Sequence, residues 1–258
     1  MKKLSALNIV NALITLAVIT VNALANILPF NGLTTGDIAD RFDIYFVPAG
    51  YVFSIWSVIY VGVIAYTVYQ LLPAHRSDEK VERIGYLYAL SGVANIAWLF
   101  LWHYEIFPLT IVAMLLLLGS LIAIYLRAGI GESAFTSLQR WTVQVPFSIY
   151  LGWVSVATVA NATQLLDYLD WNRWGLSAET WAIIMLVVAA AIALAVIWTR
   201  RDAAYGLVFV WAYVGIAIKH ASTPPVAIPA GVLAGIIALV ILVRSLLRSS
   251  TPQPRPVT

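Results

Sequence analysis

Charge in this chain is confined to the gaps between eight long apolar stretches, at about residues 6–28, 50–72, 84–103, 108–127, 141–164, 179–199, 204–221 and 227–247. A helix needs about 20 consecutive apolar residues to cross the hydrocarbon core of a bilayer. Only 10% of the residues are charged and 62% are hydrophobic, against about 25% charged in a soluble domain. The pattern predicts an all-α integral membrane protein with eight transmembrane helices. The first stretch follows Lys2 and Lys3 as a signal sequence would. Its apolar core is too long for one, and no small-x-small cleavage site closes it, so it is expected to stay as a helix.

The basic residues follow the same plan. With the N-terminus in the cytoplasm, the inner segments hold Lys2, Lys3, Arg76, Lys80, Arg83, Arg127, Arg140, Arg200, Arg201, Arg244, Arg248 and Arg255, and the outer ones only Arg41, Arg173 and Lys219. That bias is the positive-inside signature of an even number of spans with both termini cytoplasmic, in a bacterial cytoplasmic membrane. The net charge of +3 is therefore a matter of topology, and no nucleic-acid partner is expected. There is no cysteine, which excludes a disulfide, a thiolate metal site or a cysteine nucleophile. His75, His103 and His220 lie near span ends without metal spacing, so no metal site is expected. No Asp or Glu lies deep within a span. Intramembrane carboxylates mark proton relays and ion-coupled pumps, so both of these are disfavoured, as is acid–base catalysis.

Four of the first five spans carry a polar and aromatic stripe. Asn8, Asn11, Thr15, Asn22 and Asn26 fall within about 60° of one another at helical spacing. Phe53, Trp56, Tyr60 and Thr67 share a face of the second span. Tyr88, Ser91, Asn95, Trp98 and Trp102 share one on the third, and Pro146, Tyr150, Trp153, Ala157, Asn161 and Gln164 one on the fifth. Asparagine in lipid must face protein or a wet cavity. One such stripe reads as interhelical hydrogen bonding. Four together, rich in indoles, read as walls for a planar ligand. The last three spans are mostly Ala, Val, Leu and Ile, with Ala189, Ala193, Gly231 and Gly235 at spacings that suit close helix contact. In the loop at 165–178, Trp171 and Trp174 read as interfacial anchors, and the polar, proline-rich tail 249–258 as disordered.

Three segments, PAGYVFSIWSVIY at 48–60, YALSGVANIAWLFLW at 88–102 and VPFSIYLGWVSVATVANATQLLDYLDWN at 145–172, carry a resemblance. Pro48, Phe53, Trp56 and Tyr60 resemble a Pro-rich loop leading into a W-x-F-x-x-x-W-x-x-x-Y run, with Trp56 and Tyr60 at its spacing and Phe53 one residue closer. Asn95 and Trp98 match an N-x-x-W pair; Val145 and Pro146, with Phe147 for a Tyr, resemble the V-P-Y start of a V-P-Y-x-x-W-x-x-x-A-x-x-x-N helix, and Trp153, Ala157 and Asn161 its W-x-x-x-A-x-x-x-N part, set three residues further along. About residues 1–172 thus resemble the TspO/MBR family (translocator protein, or tryptophan-rich sensory protein), whose members are five-helix membrane proteins that bind porphyrins. The resemblance implies a five-helix bundle at 1–172, a three-helix extension at 173–248, and a tail at 249–258.

It also implies a pocket under the first loop, lined by Phe53, Trp56, Asn95, Trp98, Trp153, Ala157 and Asn161, with Asn22 and Asn26 nearby. Tyr60 and Tyr150, on the same stripes, complete the candidate ligand-binding set. The family's K-P-x-W-x-P-P lid is reduced here to Phe46, Val47, Pro48, Ala49 and Gly50, and Tyr45 or Tyr51 is expected to take over the stacking role of its missing Trp. The implied function is a receptor or sensor for a planar hydrophobic ligand such as a porphyrin, with or without its transport. No cofactor is required beyond a bound porphyrin, and the partners are the bilayer, the ligand and, in a homo-oligomer, a second copy. Two alternatives stand beside it: a light- and oxygen-dependent porphyrin-degrading enzyme using Trp56 and Trp153, and a facilitative small-molecule transporter.

Overall fold

The computed structural model describes residues 4–28, 30–42 and 44–249. Lys2, Lys3, Arg255 and almost all of the expected tail lie outside them. Eight helices of 17 residues or more dominate the described chain, joined by short helical turns and loops. They are α1 (Ala6–Ile27), α2 (Ile55–Leu71), α3 (Leu87–His103), α4 (Phe107–Arg127), α5 (Val145–Tyr168), α6 (Ala178–Arg200), α7 (Ala203–Lys219) and α8 (Pro224–Ser249). With their flanking helical turns, α1, α2, α4, α5, α6 and α8 are long and apolar enough to cross a membrane; α3 and α7, at 17 residues each, are shorter apolar helices. In hydrocarbon a helix satisfies its own backbone polar groups, which is why these sequences take this form.

Local chemistry sets the ends. Ser5 and Asn8 form a capping box at the start of α1. Pro108 stands in the first turn of α4, where a missing N–H costs nothing; Pro146 instead follows directly on the π turn Arg140–Gln144 that leads into α5. The expected span at 84–103 begins instead at Leu87, because Gly85 takes a positive φ of 55° and stops the short helix Glu79–Ile84.

Short connections are expected to join neighbouring helices. They do so except between α2 and α3, where α1 packs against both. The first five helices close a ring in the order α1, α3, α4, α5, α2. The wedge is held by hydrogen bonds from the α1 stripe. Asn8 and Asn11 donate to the Gln70 carbonyl and side-chain oxygen at 3.3 and 3.2 Å, and the Thr15 hydroxyl meets those of Thr67 at 2.7 Å and Tyr88 at 2.6 Å. Asn22 donates to Asn95 Oδ1 at 2.9 Å.

The last three helices pack on one another and reach the ring mainly through α7 on α5. Gly152 permits that approach: a Cβ there would lie 3.0 Å from the Tyr205 carbonyl oxygen and 3.1 Å from Val208 Cβ. Asp202, buried in the turn before α7, ties the two parts by accepting from Tyr125 at 2.8 Å and Ser148 at 2.6 Å. One apolar core runs through both. Ala189 and Ala193 are buried as small-residue contacts, but Gly231 and Gly235 face outward with nothing near them; Ala230 and Ala234, one position earlier, carry the α8 contact.

At one end of the bundle Asp78 accepts from Tyr69 at 2.6 Å and Gln139 at 2.8 Å, and Arg200 pairs with Glu132 at 2.5 Å. At the other, Arg41 pairs with Glu105 at 2.6 Å and Lys219 with Asp40 at 2.7 Å. Burial pushes the Asp78 carboxyl up, but the bonds from Tyr69, Gln139 and the backbone N–H groups of Lys80 and Val81 outweigh it and hold the group below its ordinary value. Such a carboxylate stabilises the fold above its unfolded pKa, and that contribution is lost as pH falls through the folded one. Thermal melts should therefore show Asp78→Asn a few degrees below wild type at pH 7, the gap narrowing as pH drops below 3.8. In the same assay Gly152→Leu should lose about 1–3 kcal/mol by overpacking, while Gly231→Leu should change stability by no more than about 0.5 kcal/mol.

Candidate functional site

Inside the ring, beneath the segment between α1 and α2, lies a chamber walled by four tryptophans from three helices. The 3-10 turn Gly50–Ser54 supplies Phe53 and α2 supplies Trp56; α3 supplies Asn95 and Trp98, and α5 supplies Trp153, Ala157 and Asn161. Helical spacing placed these seven on inward faces, and all seven line one void. Trp153 meets Phe53 and Trp56 edge-on, with centroids 5.7 and 6.4 Å apart. The Trp98 ring stacks on Trp102 at 5.4 Å, and its N–H donates to Asn161 Oδ1 at 3.2 Å. Asn161 in turn donates to Thr110 at 2.9 Å, so the amide is fixed from both sides.

Four of the sequence candidates lie elsewhere. Asn22 is buried but spends its amide on Asn95 and the Val18 carbonyl, behind the chamber wall. Asn26 is exposed and donates back to the Asn22 carbonyl. The α1 stripe is thus interhelical glue, and α1 contributes no wall. Tyr60 and Tyr150 line a second, very small void on the far side of Trp56, with Tyr88 and Ser91. Trp56 forms the partition, stacked on Tyr60 at 5.7 Å and edge-on to Tyr150 at 6.0 Å.

Other walls went unnoticed in the sequence. Met114 and Leu117 on α4 close one side, on the same face as the buried Thr110, a polar mark that the sequence reading passed over. Trp102 and Gln164 stand on the recognised stripes and do line the void. The roof is made by Thr35, Ala39, Val47 and Pro48. Neither Tyr45 nor Tyr51 takes the stacking role expected of it. Tyr45 lies edge-on to His220 at 5.1 Å and donates to Glu179, and Tyr51 lies edge-on to Trp211 at 5.3 Å.

The roof is tied down mostly by α7. The Ala49 N–H donates to the Gly215 carbonyl at 3.2 Å, the Trp211 N–H to the Val52 carbonyl at 3.0 Å, and Lys219 to Asp40 at 2.7 Å. From α3, the Trp102 N–H donates to the Thr35 carbonyl at 3.2 Å. Gly215 allows this closeness, since a Cβ there would sit 2.2 Å from Val52 Cγ2. Under this roof the free volume is about 60 Å³, whereas ligand pockets run from about 300 to 1,000 Å³. The described conformation is closed. One of its lining side chains carries an unmet bond: the Trp153 N–H is buried with no acceptor among the described residues.

A ring of apolar helices around an indole-lined void, roofed by a loop, defines a helical integral membrane protein with an interior chamber. The family model described as TSPO-like protein matches residues 8–243, and the chain belongs to that family. The match runs from α1 into α8, so it takes in the three C-terminal helices as well as the segment that carries the motifs. No curated protein and no solved structure matches the chain. Among the described residues no group of His, Cys, Asp and Glu could hold a metal ion.

Replacing Asn161 with Leu strands the Trp98 N–H inside the wall. Asn161→Leu should cost about 1–3 kcal/mol and change the tryptophan emission spectrum, both readable in one fluorescence-monitored melt.

Proposed function

We propose that the chamber is a binding site for a planar hydrophobic ligand of the tetrapyrrole type, and that all eight long helices cross the membrane with both termini on the cytoplasmic side. The observation that carries the ligand reading is the convergence of Trp56, Trp98 and Trp153 on one void, with a fixed amide at Asn161 and an unpaired donor at Trp153. Indole faces offer area and offset or edge-on stacking to a flat ring system. The Trp153 N–H asks for a ligand that carries a hydrogen-bond acceptor, as the carboxylates and imine nitrogens of a porphyrin do. Sensing or passage then follows from opening and closing the roof, since a macrocycle exceeds the closed volume.

The topology rests on charge. Arg76, Lys80, Arg83, Arg127, Arg140, Arg200, Arg201 and Arg244 lie at one end of the bundle, and Arg41, Arg173 and Lys219 at the other. That is the bias of a cytoplasmic and an exterior face.

Titration of the purified protein with protoporphyrin, followed by tryptophan quenching, tests the site. A single aromatic contact contributes about 0.5–1.5 kcal/mol beyond area burial, so Trp153→Ala should raise Kd by about 2- to 12-fold. An unchanged Kd removes this chamber from consideration. Illumination of the same complex in air separates binding from degradation. A Soret band that bleaches no faster than that of free porphyrin in detergent supports a receptor, and faster bleaching that depends on Trp56 supports the enzymatic alternative.

A further inference from the structure

A cavity larger than the tryptophan chamber lies outside the ring. It is a groove of about 680 Å³ on the flank of the bundle, between α2, the start of α5 and α7. Its trough is apolar: Val58 on α2, Ile149 on α5, and Leu207 and Trp211 on α7. Val58 and Leu207 are 53% and 54% exposed, so the groove lies open along the surface that the apolar helices present to lipid.

One end differs in chemistry. There the groove is bounded by Arg140, Trp141, Gln144 and Arg201. The segment Arg140–Gln144 is a single π-helical turn leading into α5, in which the Val145 N–H reaches the Arg140 carbonyl. Pro146 follows and has no N–H of its own to give. Such bulges shift a helix face by one residue and recur at functional positions. Arg201 takes a left-handed φ of 53° in the tight turn between α6 and α7, which sets it at the mouth of the groove.

Neither guanidinium is in an ion pair among the described residues, whereas nearby Arg83 and Arg200 are paired with Glu79 and Glu132. Asp202, the one carboxylate in the groove, pairs with neither arginine, and the lining keeps a net positive charge of two arginines against one carboxylate. Its oxygens accept from Tyr125, Ser148 and the Tyr205 N–H. The result is an apolar trough with two arginines free of ion pairs at one end, beside an exposed indole at Trp141. Trp and Arg at such a position belong to the headgroup level of a bilayer.

We propose that this groove binds an anionic phospholipid of the leaflet facing the basic end of the bundle. Its phosphate sits between Arg140 and Arg201, and an acyl chain runs along Val58, Ile149, Leu207 and Trp211. Charge complementarity selects this occupant. A zwitterionic lipid offers less net attraction, and a second copy of the chain docking through the same patch would bring like charges together. The site is separate from the chamber, and its far wall is α7, so a bound lipid braces the helix that holds the roof.

The test uses the full chain in detergent after delipidation, with phosphatidylglycerol, phosphatidylcholine and glycerol phosphate as probes in native mass spectrometry. Phosphatidylglycerol should bind about tenfold or more tightly than phosphatidylcholine. The double variant Arg140→Ala/Arg201→Ala should lose that preference while keeping weak binding of both lipids. Arg140→Lys/Arg201→Lys, which keeps the charge, should retain most of it and controls for folding. Leu207→Trp, filling the trough, should weaken both lipids alike. Equal affinity for the two lipids overturns the proposal, as does a preference that survives the double alanine variant. Glycerol phosphate binding as tightly as the intact lipid also overturns it, since the site would then be one for a free phosphate.

Discussion

A bilayer offers no hydrogen-bond partners, and that single constraint organises this molecule. Each amide and hydroxyl carried by an apolar helix must find its partner inside the bundle. Asn8 and Asn11 find it in α2, Asn22 in α3, and Asn161 in both α3 and α4. These bonds put α1 between α2 and α3 and set the order of the ring. The indoles on the same faces then have only the interior to enter. The chamber is thus a consequence of where the polar groups had to go, and the aromatic side chains came with them.

The C-terminal helices are not an appendage. Through Gly152, Gly215 and the buried Asp202, α7 comes against the ring closely enough to hold the segment that roofs the chamber. Three of the bonds that fix that segment, from Ala49, Trp211 and Lys219, involve α7. Their strength differs. Lys219 to Asp40 is a surface ion pair and contributes little by itself, while the backbone bond at Gly215 lies deeper. A roof closed by a few modest bonds over a void of about 60 Å³ is, on the proposed reading, the element that a ligand would displace to enter.

Much of this was legible in the sequence because bilayer length and helical period are strict. The apolar stretches located all eight long helices to within a few residues. The differences have local causes, such as the positive φ of Gly85 and the π turn at Arg140–Gln144. Seven of the eleven chamber candidates line the void, because angle alone puts Trp56, Trp98 and Trp153 on the polar side of their helices. Angle does not say which neighbour that side meets. Asn22 and Asn26 share the stripe, yet one faces α3 and the other is exposed. The same degeneracy misplaced the α8 contact, since Gly231 and Gly235 share their four-residue spacing with Ala230 and Ala234. Met114 and Leu117 themselves carry no mark that separates a chamber wall from a lipid face; Thr110, on their face, does. The sequence carries no sign of the role of Asp202, because its partners, Tyr125 and Ser148, are 77 and 54 residues away.

The most direct test of this account is to fix the roof and ask whether ligand still arrives. The chain has no cysteine, so a pair placed at Asp40 and Lys219 would be the only thiols present. With a cleavable thiol-to-thiol bridge across that pair, porphyrin association measured by stopped-flow quenching should cease, and cleavage of the bridge should restore it. Association at the same rate in the bridged protein would mean that the ligand reaches its site by another route, and that the roofed, indole-lined chamber is not what receives it.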